Sequence, residues 1–486
     1  MRALLFYPDN MVKGTILPPY SLLYLAKALM KEGHEAVILD GRFEDKKTIE
    51  DEISRTDLFA VSAGMNLQFA TALPFAKMAK GYGVPVLFGG VFSTLNHEAL
   101  LKYPNIDGIC LGEGEVAIVE ALEKSVRKAS NVAYLDGGVH RNPQAPFINL
   151  DHYTPLPWDL TDMERYVTRY KDMDIFYYTT SRGCPHRCDY CYQGGFWNRR
   201  WRGMGVEKVK EEIHVITESV DIDGVYLFDD NFLVNRRRAE EITQYFREKG
   251  LKWSCMTRAS YLDEALVKHI KESGCFKLNI GAESGSQATL ERMKKDIRIE
   301  DTLQAARLLG EAGLSSEFYF MIGYQGETME DIMKTVVLAD QVERLSGAET
   351  FIRVALPFKG TPYYEAAREA GFERGDDLIS LCTEDWGRRP PHLPWLSDEE
   401  NRIVKNIATL SEIRFMKKKF LANMPLWERV YISMIYPLLE LRWKRRLWKS
   451  IYELVPYELY ESKLESRRLK DSLEIAGGME RCPSSI

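Results

Sequence analysis

Short apolar runs alternate with amphipathic stretches through the first quarter of the chain. Ala3 to Pro8 is an apolar run that breaks at proline. Tyr20 to Lys31 then carries Leu22, Leu23, Leu25, Ala26 and Leu29 at helical spacing, closed by Gly33. Further apolar runs follow at Glu35–Asp40, Leu58–Ser62, Pro85–Gly90 and Gly108–Gly112. Apolar strands separated by helices predict a doubly wound parallel sheet, whose ligands sit beyond the carboxyl ends of its strands. Glycines fall at those ends: Gly64, Gly89, Gly90, Gly112 and Gly114. Glycine there lets backbone approach a flat or anionic ligand closely.

A second series begins after a stretch broken by Gly137, Gly138, Pro143, Pro146, Pro155 and Pro157. Its apolar runs start at Ile175, Gly224, Lys252, Phe276, Glu317 and Phe351, again with helical segments between them. Six β/α units predict a partial barrel, and barrel chemistry gathers at the C-terminal strand ends. From about Asn401 the pattern turns helical, basic and aromatic, with Trp427, Trp443 and Trp448 among Arg442, Lys444, Arg445, Arg446 and Lys449. This tail is expected either to cap the open barrel with inward tryptophans or to lie on a membrane surface. Beyond Arg468 the chain reads as polar and frayed.

Composition narrows the function classes. A chain of 486 residues suggests two or three domains. Its 45% hydrophobic and 28% charged content fits a soluble globular protein, and a net charge of −6 argues against a nucleic-acid partner. Eight mostly scattered cysteines do not form a disulfide framework, and a reducing cytoplasm is expected. No signal peptide is evident, and no apolar run reaches membrane-spanning length.

The chemistry concentrates in Ser181-Arg182-Gly183-Cys184-Pro185-His186-Arg187-Cys188-Asp189-Tyr190-Cys191-Tyr192, a loop leaving the strand that begins at Ile175. Cys184, Cys188 and Cys191 stand at C-x3-C-x2-C spacing and can converge on one iron–sulfur cluster. A structural zinc ion normally takes four protein ligands, and no fourth cysteine lies nearby. Three ligands on a four-iron cluster leave one iron free for another molecule.

At these residues the chain resembles the radical S-adenosylmethionine (SAM) enzymes, in which the free iron chelates SAM and its reductive cleavage yields a 5′-deoxyadenosyl radical. The resemblance implies a SAM-binding set. Tyr190 would lie against adenine. Asp229 and Asp230 close the strand from Gly224, where the family often has Gly-Gly-Glu. Arg258 ends the third strand. Glu283 and Ser284 lie in Gly281-Ala282-Glu283-Ser284-Gly285-Ser286, and Gly323 and Tyr324 in Gly323-Tyr324-Gln325-Gly326-Glu327-Thr328. Pro357-Phe358-Lys359-Gly360-Thr361-Pro362 matches a sixth-strand turn.

The strings from Leu17 to Ala26, Phe88 to Thr94 and Gly112 to Glu115 resemble the cobalamin (B12)-binding domain that precedes many radical SAM barrels. The implied cobalamin neighbours are Leu17, Pro18, Ser62, Gly64, Met65, Asn66, Gly89, Gly90, Val91, Gly112, Glu113 and Gly114. The D-x-H-x-x-G cobalt-ligand signature is absent. His97 is read instead as a capping or solvent-facing residue.

The fold expected is therefore α/β. It comprises a Rossmann-like cobalamin-binding domain (1–135), a linker (136–174), a partial (β/α)6 radical SAM barrel with a 4Fe-4S cluster (175–385) and a helical C-terminal region (386–486). The resemblance implies C-methylation of an unactivated carbon of a hydrophobic small molecule, with electrons from a flavodoxin- or ferredoxin-type donor. Two other outcomes stand beside it: tetrapyrrole or lipid ring formation or oxidation without methyl transfer, and a cluster-bearing protein without turnover. The cofactors carry the chemistry, so no side chain is assigned a catalytic role.

Overall fold

The computed structural model describes residues 1–10, 16–373, 375, 391–420, 426–451 and 453. Cys382, Cys482 and the segment after Arg468 lie outside the described residues.

Two seven-stranded sheets organise the chain. The first holds β1 (Arg2–Tyr7), β2 (Glu35–Asp40), β3 (Leu58–Ser62), β4 (Val86–Gly89), β5 (Gly108–Cys110), β6 (Val132–Leu135) and β7 (Val139–Arg141), in the order β2-β1-β3-β4-β5-β6-β7. The five predicted strands pair in parallel. The order reverses at β1, so a crevice opens beyond the carboxyl ends of β1 and β3. The sheet also gains an antiparallel hairpin, β6–β7, which extends it to Arg141. Gly137 and Gly138, read above as breakers of a linker, form its turn, where Asp136 N–H donates to the Gly138 carbonyl.

The second sheet follows the order β16-β15-β14-β13-β12-β9-β8. Its strands are β8 (Val167–Tyr170), β9 (Met173–Tyr178), β12 (Gly224–Leu227), β13 (Lys252–Arg258), β14 (Cys275–Glu283), β15 (Ser316–Ile322) and β16 (Glu349–Val354). A two-residue pair, β10 (Ser181–Arg182) and β11 (Arg202–Gly203), stands apart from it. The six predicted strands are parallel, and β8 adds an antiparallel edge. Along β15, Phe318, Phe320 and Ile322 are buried at 1% exposure or less, the face covered by helices, while Glu317, Tyr319 and Met321 take the opposite face. Cys255 and Cys275 are buried core thiols, as expected.

One hydrophobic core runs across both halves. Leu22, Leu23 and Leu29 of helix Tyr20–Lys31 share it with Trp158, Phe176, Tyr178 and Ile213. The proline-rich segment is part of this packing. Trp158 Nε1 donates to Glu212 Oε2 at 2.8 Å, and Leu156 N–H donates to Glu212 Oε1 at 2.6 Å. At the other edge, helix Asp398–Phe420 covers β16, where Ser411 Oγ accepts the Ile352 N–H at 2.8 Å. That contact satisfies an edge strand that would otherwise face solvent. Helix Leu426–Arg445 packs outside it, with Trp443 and Trp448 buried.

Candidate active site

The cysteine loop leaves β9 through β10 and is fixed by carboxylates at the end of β12. Asp229, 1% exposed, accepts the Thr180 backbone N–H at 3.1 Å, Thr180 Oγ1 at 3.0 Å and the Ser181 hydroxyl. Asp230 accepts the Gly183 N–H at 3.1 Å through Oδ2 and the Tyr192 hydroxyl at 2.8 Å through Oδ1. Gly183 takes φ +84°, and a Cβ there would meet the Arg200 carbonyl oxygen at 2.0 Å. Only glycine fits that close approach. The Arg258 guanidinium reaches the loop from β13, with Nη1 3.6 Å from Cys188 Sγ and Nη2 on the Lys295 carbonyl. Burial pushes the Cys191 thiol up to about 12 and raises Cys184 as well. Coordination to a cation deprotonates such thiols outright.

Among the described residues, no group of three His, Cys, Asp or Glu side chains stands close enough together to hold a single metal ion.

A cavity of about 330 Å³ adjoins the loop. Tyr190, Cys191 and Tyr192 form one wall, and Glu283, Met321, Val354 and Ala355 at the barrel strand ends form another. Gly64, Met65, Asn66, Val91 and Phe92 of the first domain close it. Glu283 sits at φ +65°, where the β14–β15 register shifts, and its carboxylate pairs with Lys295 Nζ at 2.6 Å. Strained non-glycine backbone of this kind concentrates at ligand sites.

Asp189, absent from the sequence-derived set, anchors Tyr190. Its N–H donates to the Met293 carbonyl, its carbonyl accepts the Tyr363 N–H at 3.2 Å, and Oδ2 accepts the Tyr324 hydroxyl at 2.8 Å. Tyr324 stacks on Tyr363 with centroids 4.3 Å apart. The acidic side chain of Asp189 between Cys188 and Cys191 was the only sequence signal.

Of the expected SAM neighbours, Tyr190 and Glu283 line this cavity and Asp230 lines a second one. The others stand outside both linings, each with another task. Asp229 holds the loop backbone. Arg258 spans Cys188 and the Lys295 carbonyl. Ser284 Oγ contacts Thr335 Oγ1 at 3.1 Å. The Gly323 carbonyl accepts Trp395 Nε1 at 3.0 Å, and Tyr324 braces Asp189.

The second cavity, about 340 Å³, lies beyond the carboxyl edge of the first sheet. Of the expected cobalamin neighbours, Ser62, Gly64, Gly89, Gly90, Val91, Gly112, Glu113 and Gly114 line it, joined by Tyr20, Ser21 and Tyr24. The barrel side contributes Arg182, Tyr192, Trp197, Phe228 and Asp230. Met65 and Asn66 border the first cavity instead. Leu17 and Pro18 line neither: their carbonyls accept Arg42 Nη2 and the Tyr20 N–H. The side chains one helical turn later reach the space that the Leu17–Pro18 motif was expected to fill. His97 is also off both cavities, with Nδ1 2.8 Å from the Thr94 carbonyl and Nε2 accepting Arg141 Nε at 3.0 Å. Gly64, Val91 and Tyr192 belong to both cavities, so the two spaces meet beside the cysteines. Of the three cysteines only Cys191 lines a cavity, while Cys184 and Cys188 stand behind it in the loop; the three-thiol donor set suits a cluster, and the glycine-lined edge of the other space suits a large planar cofactor.

Residues 178–339 match the profile of the radical SAM superfamily, and residues 11–122 match that of the B12 binding domain. An uncharacterized methyltransferase of Pyrococcus horikoshii is 31% identical over 388 residues, covering 76% of this chain and 83% of that protein. The anaerobic magnesium-protoporphyrin IX monomethyl ester cyclase of Rubrivivax gelatinosus is 29% identical over 366 residues, covering 70% and 65%. The solved structure of the cobalamin-dependent SAM radical enzyme OxsB with aqua-cobalamin superposes with a TM-score of 0.73 at 15% identity, covering 98% of this chain and 78% of that one.

Proposed function

The chain belongs to the radical SAM superfamily, in the branch that carries a B12-binding domain, and from that premise we propose that it is a C-methyltransferase acting on an unactivated carbon of a hydrophobic small molecule. The carrying observation is the junction of the two cavities at Gly64, Val91 and Tyr192, the last of these adjacent to Cys191. In this reading Cys184, Cys188 and Cys191 hold the 4Fe-4S cluster, SAM occupies the first cavity and cobalamin the second. When bound, these groups supply hydrogen-atom abstraction and methyl delivery.

The protein's own residues position and exclude. Asp229 and Asp230 fix the backbone that presents the thiols. Tyr190 offers a flat face to adenine, and Glu283, its carboxylate held by Lys295, stands at the ribose and methionine end that the family resemblance implies. Val91, Phe92, Leu95, Met321, Phe351 and Phe358 make the remaining wall apolar, with Arg353 and Lys359 as cationic members. That wall favours a hydrophobic substrate and keeps water from the reacting atoms. Turnover needs a one-electron donor of the flavodoxin or ferredoxin type.

Ring formation or oxidation without methyl transfer is a second reading, favoured by the likeness to the cyclase. Reduced enzyme incubated with SAM and candidate substrates separates the two. Methyl transfer yields S-adenosylhomocysteine beside 5′-deoxyadenosine and a product heavier by one methyl. 5′-Deoxyadenosine without homocysteine product and without mass gain would select the cyclase reading. The third expectation, a protein without turnover, gives way, because the chain's likeness to methyltransferases spans most of its length.

Among the described residues, no helix is long and apolar enough to cross a membrane. Trp443 and Trp448 are buried, whereas Trp427 is 42% exposed. Leu426, Val430, Met434 and Leu438 of helix Leu426–Arg445 are nevertheless exposed on its outer side, near Arg442, Lys444 and Arg445. Surface association of a cytoplasmic enzyme with anionic membrane is the corresponding reading. Co-sedimentation with anionic vesicles, lost in Met434→Glu, supports it, and no sedimentation of the wild type removes it.

A further inference from the structure

Buried charge joins the two halves of the site, and none of the roles above employs it. Arg182 lies two residues before Cys184 and reaches back to the first domain. Its Nη1 is 2.7 Å from Glu113 Oε1 and 2.8 Å from Glu115 Oε1. Both carboxylates follow the end of β5, with side chains 4% and 3% exposed. The guanidinium also lies over the Tyr24 ring, 4.1 Å from its centroid. Through β10–β11, Arg182 pairs with Arg202, whose Nη2 is 2.8 Å from the same Glu113 Oε1.

Charges buried this way hold one another in place, because displacing one leaves its partners unpaired in a low-dielectric site. Arg182 and the β5 edge must therefore move together. The cysteine loop also carries Tyr192 and, through the Gly183 hydrogen bond, restrains Asp230. Arg182, Tyr192 and Asp230 all line the second cavity. Three of its wall residues thus depend on the conformation of the loop that presents the thiols.

We propose that Arg182 is a positioning residue that links the two cofactor sites, so that a cysteine loop ordered around its cluster pre-forms the cobalamin cavity. The inference rests on the cofactor assignment above. By linkage the effect is reciprocal, and bound cobalamin favours the cluster-competent loop. A cavity already ordered by the first ligand costs less to order for the second.

Equilibrium dialysis of hydroxocobalamin against the full-length chain tests this, comparing cluster-free protein with protein reconstituted with iron and sulfide. Wild type is expected to bind corrinoid about tenfold more tightly when the cluster is present, within the usual range for coupled sites. Arg182→Met should bring that ratio close to one, and Arg182→Lys should restore part of it. Arg202→Met, which removes a pair to the same Glu113 from outside the cavity, should leave the ratio standing. A merely structural role for Arg182 would weaken both forms equally and preserve the ratio, which overturns the proposal. So does an equal corrinoid affinity of the two wild-type forms, with the cofactor reading intact. A chain that binds neither cofactor overturns that reading and this proposal with it. If Arg182→Met precipitates, Glu115→Gln supplies the same comparison, because it removes one of the two carboxylate partners.

Discussion

Gly89 and Gly90 are adjacent and both line the second cavity, yet substitution should harm the protein in two different ways. Gly90 has φ +95°, and a Cβ there would lie 2.6 Å from the Ala63 carbonyl oxygen. With ψ at 171° this is an extended positive-φ conformation that essentially only glycine adopts, and it costs another residue about 1–3 kcal/mol. Overlap with backbone that cannot swing aside adds roughly 1–3 kcal/mol. Gly90→Ala should therefore lose about 2–6 kcal/mol, a melting temperature lower by roughly 4–24 °C at roughly 2–4 °C per kcal/mol. Gly89 has no such restriction, and its Cβ would stand 3.7 Å from Cys110 Cβ, an ordinary contact. Gly89→Leu should fold with near-native stability but place its side chain where the corrinoid edge belongs. Overlap of about 1–3 kcal/mol translates to roughly 5- to 150-fold weaker binding. Thermal melts and dialysis against hydroxocobalamin measure the two effects separately. Gly89→Leu with wild-type corrinoid affinity would refute the placement of cobalamin against this edge.

Asp229→Ala should orphan the Thr180 N–H and hydroxyl at about 1–3 kcal/mol each, so iron retained after reconstitution should fall; full iron with weakened SAM binding would instead restore Asp229 as a direct SAM contact. Burial pushes the Glu327 carboxyl up to about 7 from 4.5. The folded state thus binds the extra proton between those values, and stability falls as pH rises through this window, by about 3 kcal/mol in total. Glu327→Gln, whose amide oxygen can still accept the Tyr324 N–H, should gain on wild type in melting temperature from pH 5 to pH 8; parallel curves would contradict this. Trp443, 2% exposed with Nε1 2.9 Å from Asp340 Oδ1, should cost about 3–5 kcal/mol when cut to alanine, read as an earlier melt.

The parallel strands were legible because most are apolar runs bounded by breakers, the central ones such as β3 and β5 buried on both faces. The hairpin β6–β7 was not, because Gly137-Gly138 marks a turn equally well in a linker or a sheet. β8 is a short polar-mixed edge whose pairing depends on β9. The cysteines and the glycine edge carry their chemistry in residue type and spacing, so they could be read directly. Asp229 shows the limit: a carboxylate after a strand has the same sequence signature whether it meets a ligand or an orphaned backbone N–H. The Arg182–Glu113 pair joins residues 69 positions apart, and nothing local announces it. The inward turn of Trp443 likewise follows from packing against Asp340 and Arg414, which no periodicity encodes.

The proposed function stands on three thiolates that hold a four-iron cluster with one iron open to SAM. Electron paramagnetic resonance of the anaerobically reconstituted, dithionite-reduced chain tests it most directly, recorded with and without SAM. The expected result is a reduced 4Fe-4S signal whose g-values shift on addition of SAM and which is lost when Cys188 is replaced by alanine. A chain that takes up zinc in place of iron, or a cluster signal indifferent to SAM, would contradict it.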